Sequence, residues 1–268
     1  MNAFGETLKK WRKQRAMSQL DLSLNADVST KHLSFLETGR SQPSREMVLH
    51  LAHVLDIPLA DRNTLLAQSG YAAAYSQRAL QHEDMQPVRQ ALAMLLENQN
   101  PYPAMVLDWD WNILMVNQAQ QNLAMAVHRL QPDFLDSNNL MELMFHPKGY
   151  RPFIRNWQPV AQHLYSRLLT ERRRFTDRQS DLLSRLHAIP DFPSHWAVTD
   201  TQHQQPMLTV ELAIADQSLS LFSTLTSFGT PIDITLQELT IEQYFPSDER
   251  TRRFFEQLSA AHPTPRSS

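Results

Sequence analysis

Through the first 70 residues the apolar positions recur at three- and four-residue spacings, and the polar breaks between them predict five short helices. These run from Phe4 to Arg15, Gln19 to Ala26, Thr30 to Glu37, Arg45 to Leu55 and Asp61 to Gln68. Capping residues mark the starts: Ser18, Ser29 and Ser44 each precede a helix, and Pro43 stands before the fourth. Leu8, Leu20, Val28, Leu33, Leu36, Val48, Leu49, Ala52, Leu55 and Leu65 form the expected core of this compact bundle. Residues 71–86, YAAAYSQRALQHEDMQ, lose the pattern; without Gly or Pro they read as a helical or extended connector.

Beyond Pro87, which opens a helix to about Asn98, the pattern changes character at Pro101. AMVLD and ILMVN are short apolar runs separated by WDWN, the arrangement of a hairpin. Helical segments are expected near 118–130, 138–145, 152–171 and 177–188. In MLTVELAI, Leu208, Val210, Leu212 and Ile214 alternate with other residues as in a half-buried strand, and LSLFSTLTSF follows after a turn at 216–218. The apolar phase of IDITLQELTIEQYF runs Ile232, Ile234, Leu236 and then shifts to Leu239, Ile241, Phe245, which predicts one strand carrying a bulge. The expected fold is an all-α five-helix domain followed by an α+β domain around one antiparallel sheet. The expected boundaries are 1–70, a connector at 71–87, the second domain at 88–262 and a disordered tail at 263–268.

Charge sharpens the reading of the first domain. The whole chain carries a net −3, yet residues 1–45 hold eight basic residues (Lys9, Lys10, Arg12, Lys13, Arg15, Lys31, Arg40, Arg45) against four acidic ones (Glu6, Asp21, Asp27, Glu37). A local basic excess on a small domain is a nucleic-acid footprint. The absence of Cys removes disulfides and thiolate metal sites and suits a reducing compartment. No run approaches the roughly 20 apolar residues of a membrane helix, and the start MNAFGETLKKWRKQR lacks a secretory core. A cytoplasmic location is therefore expected. The chain has five glycines and no phosphate loop, G-x-S-x-G elbow or H-E-x-x-H, so neither an enzyme nor a cofactor is expected. His50 and His53 sit at a spacing that makes a poor metal site.

Two helices joined by the turn Asn25-Ala26-Asp27-Val28 have the layout of a helix-turn-helix, whose second helix enters the major groove. Ser29 caps that helix, and Thr30 and Lys31 at its start would face base edges, with Ser34 and Phe35 a turn further on. Ser18 and Gln19, at the N-terminus of the preceding helix, would meet phosphate, with Arg40 and Arg45 adding charge. A merely solvated polar face is the alternative, and Phe35 could instead pack on a neighbouring helix. Arg12 and Glu37 are expected to pair and tie the first helix to the third.

The stretch MSQLDLSLNADVSTKHLSFLETGRSQPSREMVLHLAHVLDIP resembles the lambda-repressor and Cro (Cro/C1-type) helix-turn-helix family of bacterial and phage regulators. Ser18-Gln19, Leu22, Val28-Ser29, Leu33-Ser34, Glu37, Gly39-Arg40, Pro43-Ser44 and Leu55 carry that resemblance. Asp27 departs from it, standing where the family usually has a turn glycine; Asp tolerates left-handed backbone better than most residues. LFSTLTSFGTPIDITLQELTIEQYFPSDE, FHPKGYRPFIRNW and MVLDWDWNILMVNQA together resemble the ligand-binding domain of MmyB-like transcription regulators over residues 88–260.

That second resemblance implies a PAS-like fold holding a small apolar, fatty-acid-like ligand. Phe134, Leu140, Met141, Met144, Phe145, Phe153 and Trp157 are the candidates to line its pocket, and each could equally be plain core. His146, Arg151 and Arg155 are the candidates to meet a polar head group. The combined expectation is a bacterial, cytoplasmic, nucleoid-associated regulator acting as a homodimer on a near-palindromic double-stranded operator. Its rivals are a DNA-binding regulator whose second domain only dimerises or binds a protein, and an enzyme tethered to a DNA-binding domain.

Overall fold

The computed structural model describes residues 3–174, 181–193 and 207–261. They fall into two compact units, Met1–Arg78 with Thr230–Gln237, and Ala79–Gly229 with Glu238–Ser268. The tail expected at 263–268 and the start of the helical segment expected at 177 lie outside the described residues.

The first unit contains the helices α1 (Ala3–Gln14), α2 (Gln19–Asn25), α3 (Thr30–Thr38), α4 (Arg45–Val54) and α5 (Leu59–Gln68). The starts of α2, α3 and α4 follow from local chemistry. Ser18, Ser29 and Ser44 each accept a hydrogen bond from the backbone three residues on, and Ser18 completes a capping box with Asp21. Gly39 ends α3 in the left-handed conformation, φ 75°. Asp27 makes the α2–α3 turn at φ 50°, so the left-handed turn survives without glycine.

Phe4, Leu8, Trp11, Leu22, Leu33, Leu36, Val48, Leu51, Leu55, Ile57 and Leu65 are among the buried core of this unit. Val28 and Leu49 pack against it only partly buried. Leu20, expected inside, is 57% exposed. Leu22 and Leu20 are two positions apart on a short helix, so when Leu22 points to the core Leu20 points away from it.

The helix α5 begins at Leu59, two residues before the expected start, and no side chain of its own caps it. Its first amide is instead satisfied by Gln237, whose side-chain Oε1 accepts from Leu59 N–H at 2.8 Å. Asp233 anchors the same segment: its carboxylate accepts from Ser76 Oγ at 2.8 Å, and Ile234 N–H donates to Ser76 O at 2.9 Å. Thus a piece of chain from far along the sequence completes the helical unit.

In the second unit α6 (Gln86–Asn98) leads to β1 (Ala104–Leu107) and β2 (Ile113–Val116), the expected hairpin. Next come α7 (Gln118–Leu130), α8 (Leu140–Phe145), α9 (Trp157–Arg174) and α10 (Leu182–His187), then β3 (Val210–Ile214) and β4 (Gln217–Thr226). The helical turn α11 (Ile234–Glu238), which begins within the first unit, precedes β5 (Thr240–Pro246) and α12 (Glu249–Ala261). Among the described residues the strands form one antiparallel sheet in the order β2-β1-β5-β4-β3, with helices packed on it. This is the PAS-like α+β architecture.

The apolar slip in IDITLQELTIEQYF is not a bulge. Asp233 Oδ1 accepts from Thr235 N–H at 2.9 Å and starts the turn α11, so the slip marks a junction from helix to strand. The register irregularity of this sheet lies instead in β1, between Val106 and Leu107. Both faces of central β5 are buried: Ile241 lies on one, while Glu242 lies on the other, opposite Met105 of the main core.

Candidate DNA interface and ligand cavity

Helix α3 buries Leu33, Leu36 and Glu37 and turns Thr30, Lys31 and Thr38 to solvent, with Ser34 and Phe35 half-buried. Its seating depends on the Arg12–Glu37 pair, a two-pronged contact with Nε–Oε1 at 2.6 Å and Nη2–Oε2 at 2.8 Å. Gln19 joins it, donating from Nε2 to Glu37 Oε2 at 2.8 Å, so its amide nitrogen links α2 to α3. Burial by itself would raise the Glu37 pKa, but hydrogen bonds from Arg12 and Gln19 and the charge of Arg12 hold it below the usual carboxylate range.

The expected DNA-facing residues divide by how their polar atoms are used. Ser18 and Ser29 spend their hydroxyls as helix caps, and Thr30 Oγ1 lies 3.0 Å from Ser23 Oγ, bridging α2 and α3. Lys31, Arg40 and Arg45 are exposed. Two of these cations flank one ring: Lys31 Nζ lies 5.7 Å and Arg40 Cζ 5.9 Å from the centroid of Phe35. The face therefore presents a half-buried aromatic ring midway along α3 with two positive charges within 6 Å of its centroid.

The second unit holds a small, partly open cavity of about 50 Å³. Three helical positions of α7, Gln120, Leu123 and Val127, form one wall, and Leu140 and Met144 of α8 a second. Met105, Val210, Leu212, Leu221 and Tyr244 close it from the sheet, with Pro103, Tyr150 and Ile154 at the ends of connecting segments. Its polar groups are few. Gln120 Nε2 donates to Tyr150 Oη at 3.2 Å, and burial pushes the Tyr150 phenol up to about 12 against the opposing pull of that bond.

Of the expected lining residues, Leu140 and Met144 face this cavity. Met141 and Phe145 are buried in the core, where the Phe145 ring packs against Trp157 and Phe192. Phe134 and Phe153 pack partly buried against that core, Phe134 edge-on to Tyr150. The expected head-group residues lie elsewhere: His146 borders a separate cleft with Glu142 and Arg185, and Arg155 Nη1 donates to Ser218 Oγ at 3.2 Å. Arg151 stacks on Trp157 at 4.2 Å.

Residues 88–258 match the family described as MmyB-like transcription regulator ligand binding domain, and residues 8–61 match the helix-turn-helix family. The chain belongs to the MmyB-like transcription regulators. This MmyB-like regulator thus joins a DNA-binding domain to a domain that binds a small molecule. Among curated proteins none matches it in sequence.

Two solved structures resemble it weakly. The PAS domain of Bordetella pertussis BvgS is 12% identical, with 65% of this chain and 98% of that one covered at a TM-score of 0.30. An RNA-binding light-oxygen-voltage receptor is 10% identical, with 97% and 64% covered at a TM-score of 0.27. Among the described residues of the MmyB-like regulator no helix is long and apolar enough to cross a membrane.

Apart from Leu140 and Met144, sequence reasoning missed the cavity's lining, including its polar members Gln120, Tyr150 and Tyr244. Gln120 had a readable signal, because it shares the apolar stripe of α7 with Leu123 and Val127 at i, i+3 and i+7. A polar residue on such a stripe either caps a network or faces a void. Tyr150 and Tyr244 had none, since each depends on a long-range approach.

Proposed function

We propose that this MmyB-like regulator acts as a cytoplasmic, nucleoid-associated homodimer on a near-palindromic operator, and that a small apolar ligand in the cavity of the second unit controls operator binding. The cavity is the observation that carries the sensing half of the reading, because a domain used only to dimerise has no need of a void lined almost wholly by apolar side chains. The DNA-contacting set is Ser18, Gln19, Ser29, Thr30, Lys31, Ser34, Phe35, Arg40 and Arg45. Two readers are invoked because one helix in one major groove reads too few base pairs for useful specificity.

Chain connectivity supports coupling between ligand and operator. β4 and β5 contribute Leu221 and Tyr244 to the cavity wall, and the segment that joins them, Thr230–Gln237, belongs to the helical unit. A ligand shifts an equilibrium only by its differential affinity for two states, and a wall continuous with the DNA-binding unit supplies a route to such a difference.

Operator selection from a random duplex library, followed by fluorescence anisotropy with and without an apolar lipid extract, tests the reading. Selection of a two-fold-related site whose affinity shifts with extract supports it, and recovery of no sequence preference overturns it. In the same assay Lys31→Ala is expected to weaken the selected site by about 1–3 kcal/mol and to relax one position in each half-site. A uniform loss across all sequences would demote Lys31 to a phosphate contact.

A further inference from the structure

We propose that Phe35 reads a thymine in each half-site of the operator through the base's 5-methyl group, an apolar contact made beside the polar readout of Lys31. This deepens the operator binding proposed above and rests on it.

Phe35 is an aromatic ring that the core does not use. It is half-buried, yet it belongs neither to the buried core of the helical unit nor to the partly buried residues packed against that core. The inner face of α3 is supplied by Leu33, Leu36 and Glu37 instead. Phe35 follows Lys31 by four positions, so the two share one outward face of the helix, a turn apart. The groups closest to the ring on that face are cations, Lys31 Nζ at 5.7 Å and Arg40 Cζ at 5.9 Å. Among the described residues neither cation is held in an ion pair, so both are free to meet phosphate or a base edge.

The hydrogen-bonding groups left on this face are few. The exposed residues of α3 are Thr30, Lys31 and Thr38. Thr30 Oγ1 lies 3.0 Å from Ser23 Oγ, and Thr38 Oγ1 donates to Ser34 O at 2.7 Å, so both hydroxyls are engaged within the unit. Gln19 is turned inward to Glu37. Beside Lys31, the reading face therefore offers a phenyl ring, which has no hydrogen bond to give. What such a ring can recognise in the major groove is the apolar group displayed there, the C5 methyl of thymine; cytosine carries no methyl at that place, and purines present acceptors. One helical turn rises about 5.4 Å and one base step about 3.4 Å. The thymine is thus expected within two base pairs of the position read by Lys31.

The test uses the full chain and the duplex obtained by operator selection, with affinity read by fluorescence anisotropy. Each thymine is replaced in turn by deoxyuridine, symmetrically in both half-sites, which removes the methyl and keeps every hydrogen-bonding group. For the parent, one such exchange near the position relaxed by Lys31→Ala is expected to weaken binding about fifteenfold, roughly fourfold for each methyl. Phe35→Ala should bind the thymine duplex more weakly than the parent and no longer distinguish it from the uracil one, while Phe35→Leu retains part of the preference. Both variants should keep the parent's urea denaturation midpoint, because the ring lies outside the core; a midpoint that falls in both returns Phe35 to a packing role and overturns the proposal. A uracil series that fails to separate the parent from Phe35→Ala, or a loss equal at every position, overturns it while operator binding stands. Selection that yields no preferred sequence overturns operator binding itself, and the proposal with it.

Discussion

Arg12→Ala is expected to destabilise the helical unit by about 3–5 kcal/mol, because it strands a buried carboxylate. Arg12 is 7% exposed and Glu37 3%, and their two-pronged contact ties α1 to α3. With the guanidinium gone, the Gln19 amide and the charge of Lys9 are what remain to oppose desolvation of Glu37. Replacing both partners, as Arg12→Met with Glu37→Leu, is expected to restore most of the loss, since two apolar side chains bury no unpaired charge.

The pH dependence gives a second signature. In the parent the Glu37 pKa is lowered, so its contribution is present above the unfolded carboxylate value of about 4.3 and is lost as pH falls through the lower folded value. In Arg12→Ala the lone carboxyl titrates above its unfolded value, the sign reverses, and acidification from pH 7 to 4 should shrink the deficit. Urea denaturation at both pH values checks this. A deficit under 1 kcal/mol at pH 7, or one that grows on acidification, would remove Arg12 from this role.

Phe145→Ala is expected to cost the second unit about 3–5 kcal/mol, as large-to-small changes at fully packed aromatic sites do. The ring is 1% exposed and lies 6.1 Å from Trp157 and 5.4 Å from Phe192, centroid to centroid. Sequence reasoning admitted two roles for it, cavity lining or core, and the two predict opposite readouts. As core, its loss lowers the denaturation midpoint while the folded fraction binds an apolar fluorophore within about threefold of the parent. As lining, affinity would fall and stability hold. Paired denaturation and fluorophore titrations decide between them, and the geometry commits to the first.

What could be read from the sequence was what neighbours in the chain determine. The caps at Ser18, Ser29 and Ser44, the left-handed turn at Asp27 and the Arg12–Glu37 pair follow from short-range chemistry or a familiar motif. The strand alternation of MLTVELAI held for the same reason, as Leu212 and Ile214 point to one buried face. Leu20 misled because a seven-residue helix is too short for its apolar residues to define a single stripe. The α11 turn misled because its cause, Asp233, is held by Ser76, more than 150 positions away in the chain. The cavity was the least legible feature, for a void is defined by where side chains stop meeting, and no periodicity in one segment reports that.

The segment Thr230–Gln237 bears on how such a regulator can be rebuilt or can evolve. Where one linker joins a reader to a sensor, exchanging readers is a single splice. Here eight residues encoded between two sensor strands complete the DNA-binding unit, with Gln237 satisfying the first amide of α5 and Asp233 holding Ser76. A reader cut off at Arg78 leaves that amide without its acceptor, and a foreign reader spliced onto this sensor must supply a Ser76 equivalent for a loop it did not evolve with. Inheritance of the two halves is therefore linked at two places in the gene, and recombination between relatives is expected to succeed only when both are exchanged together.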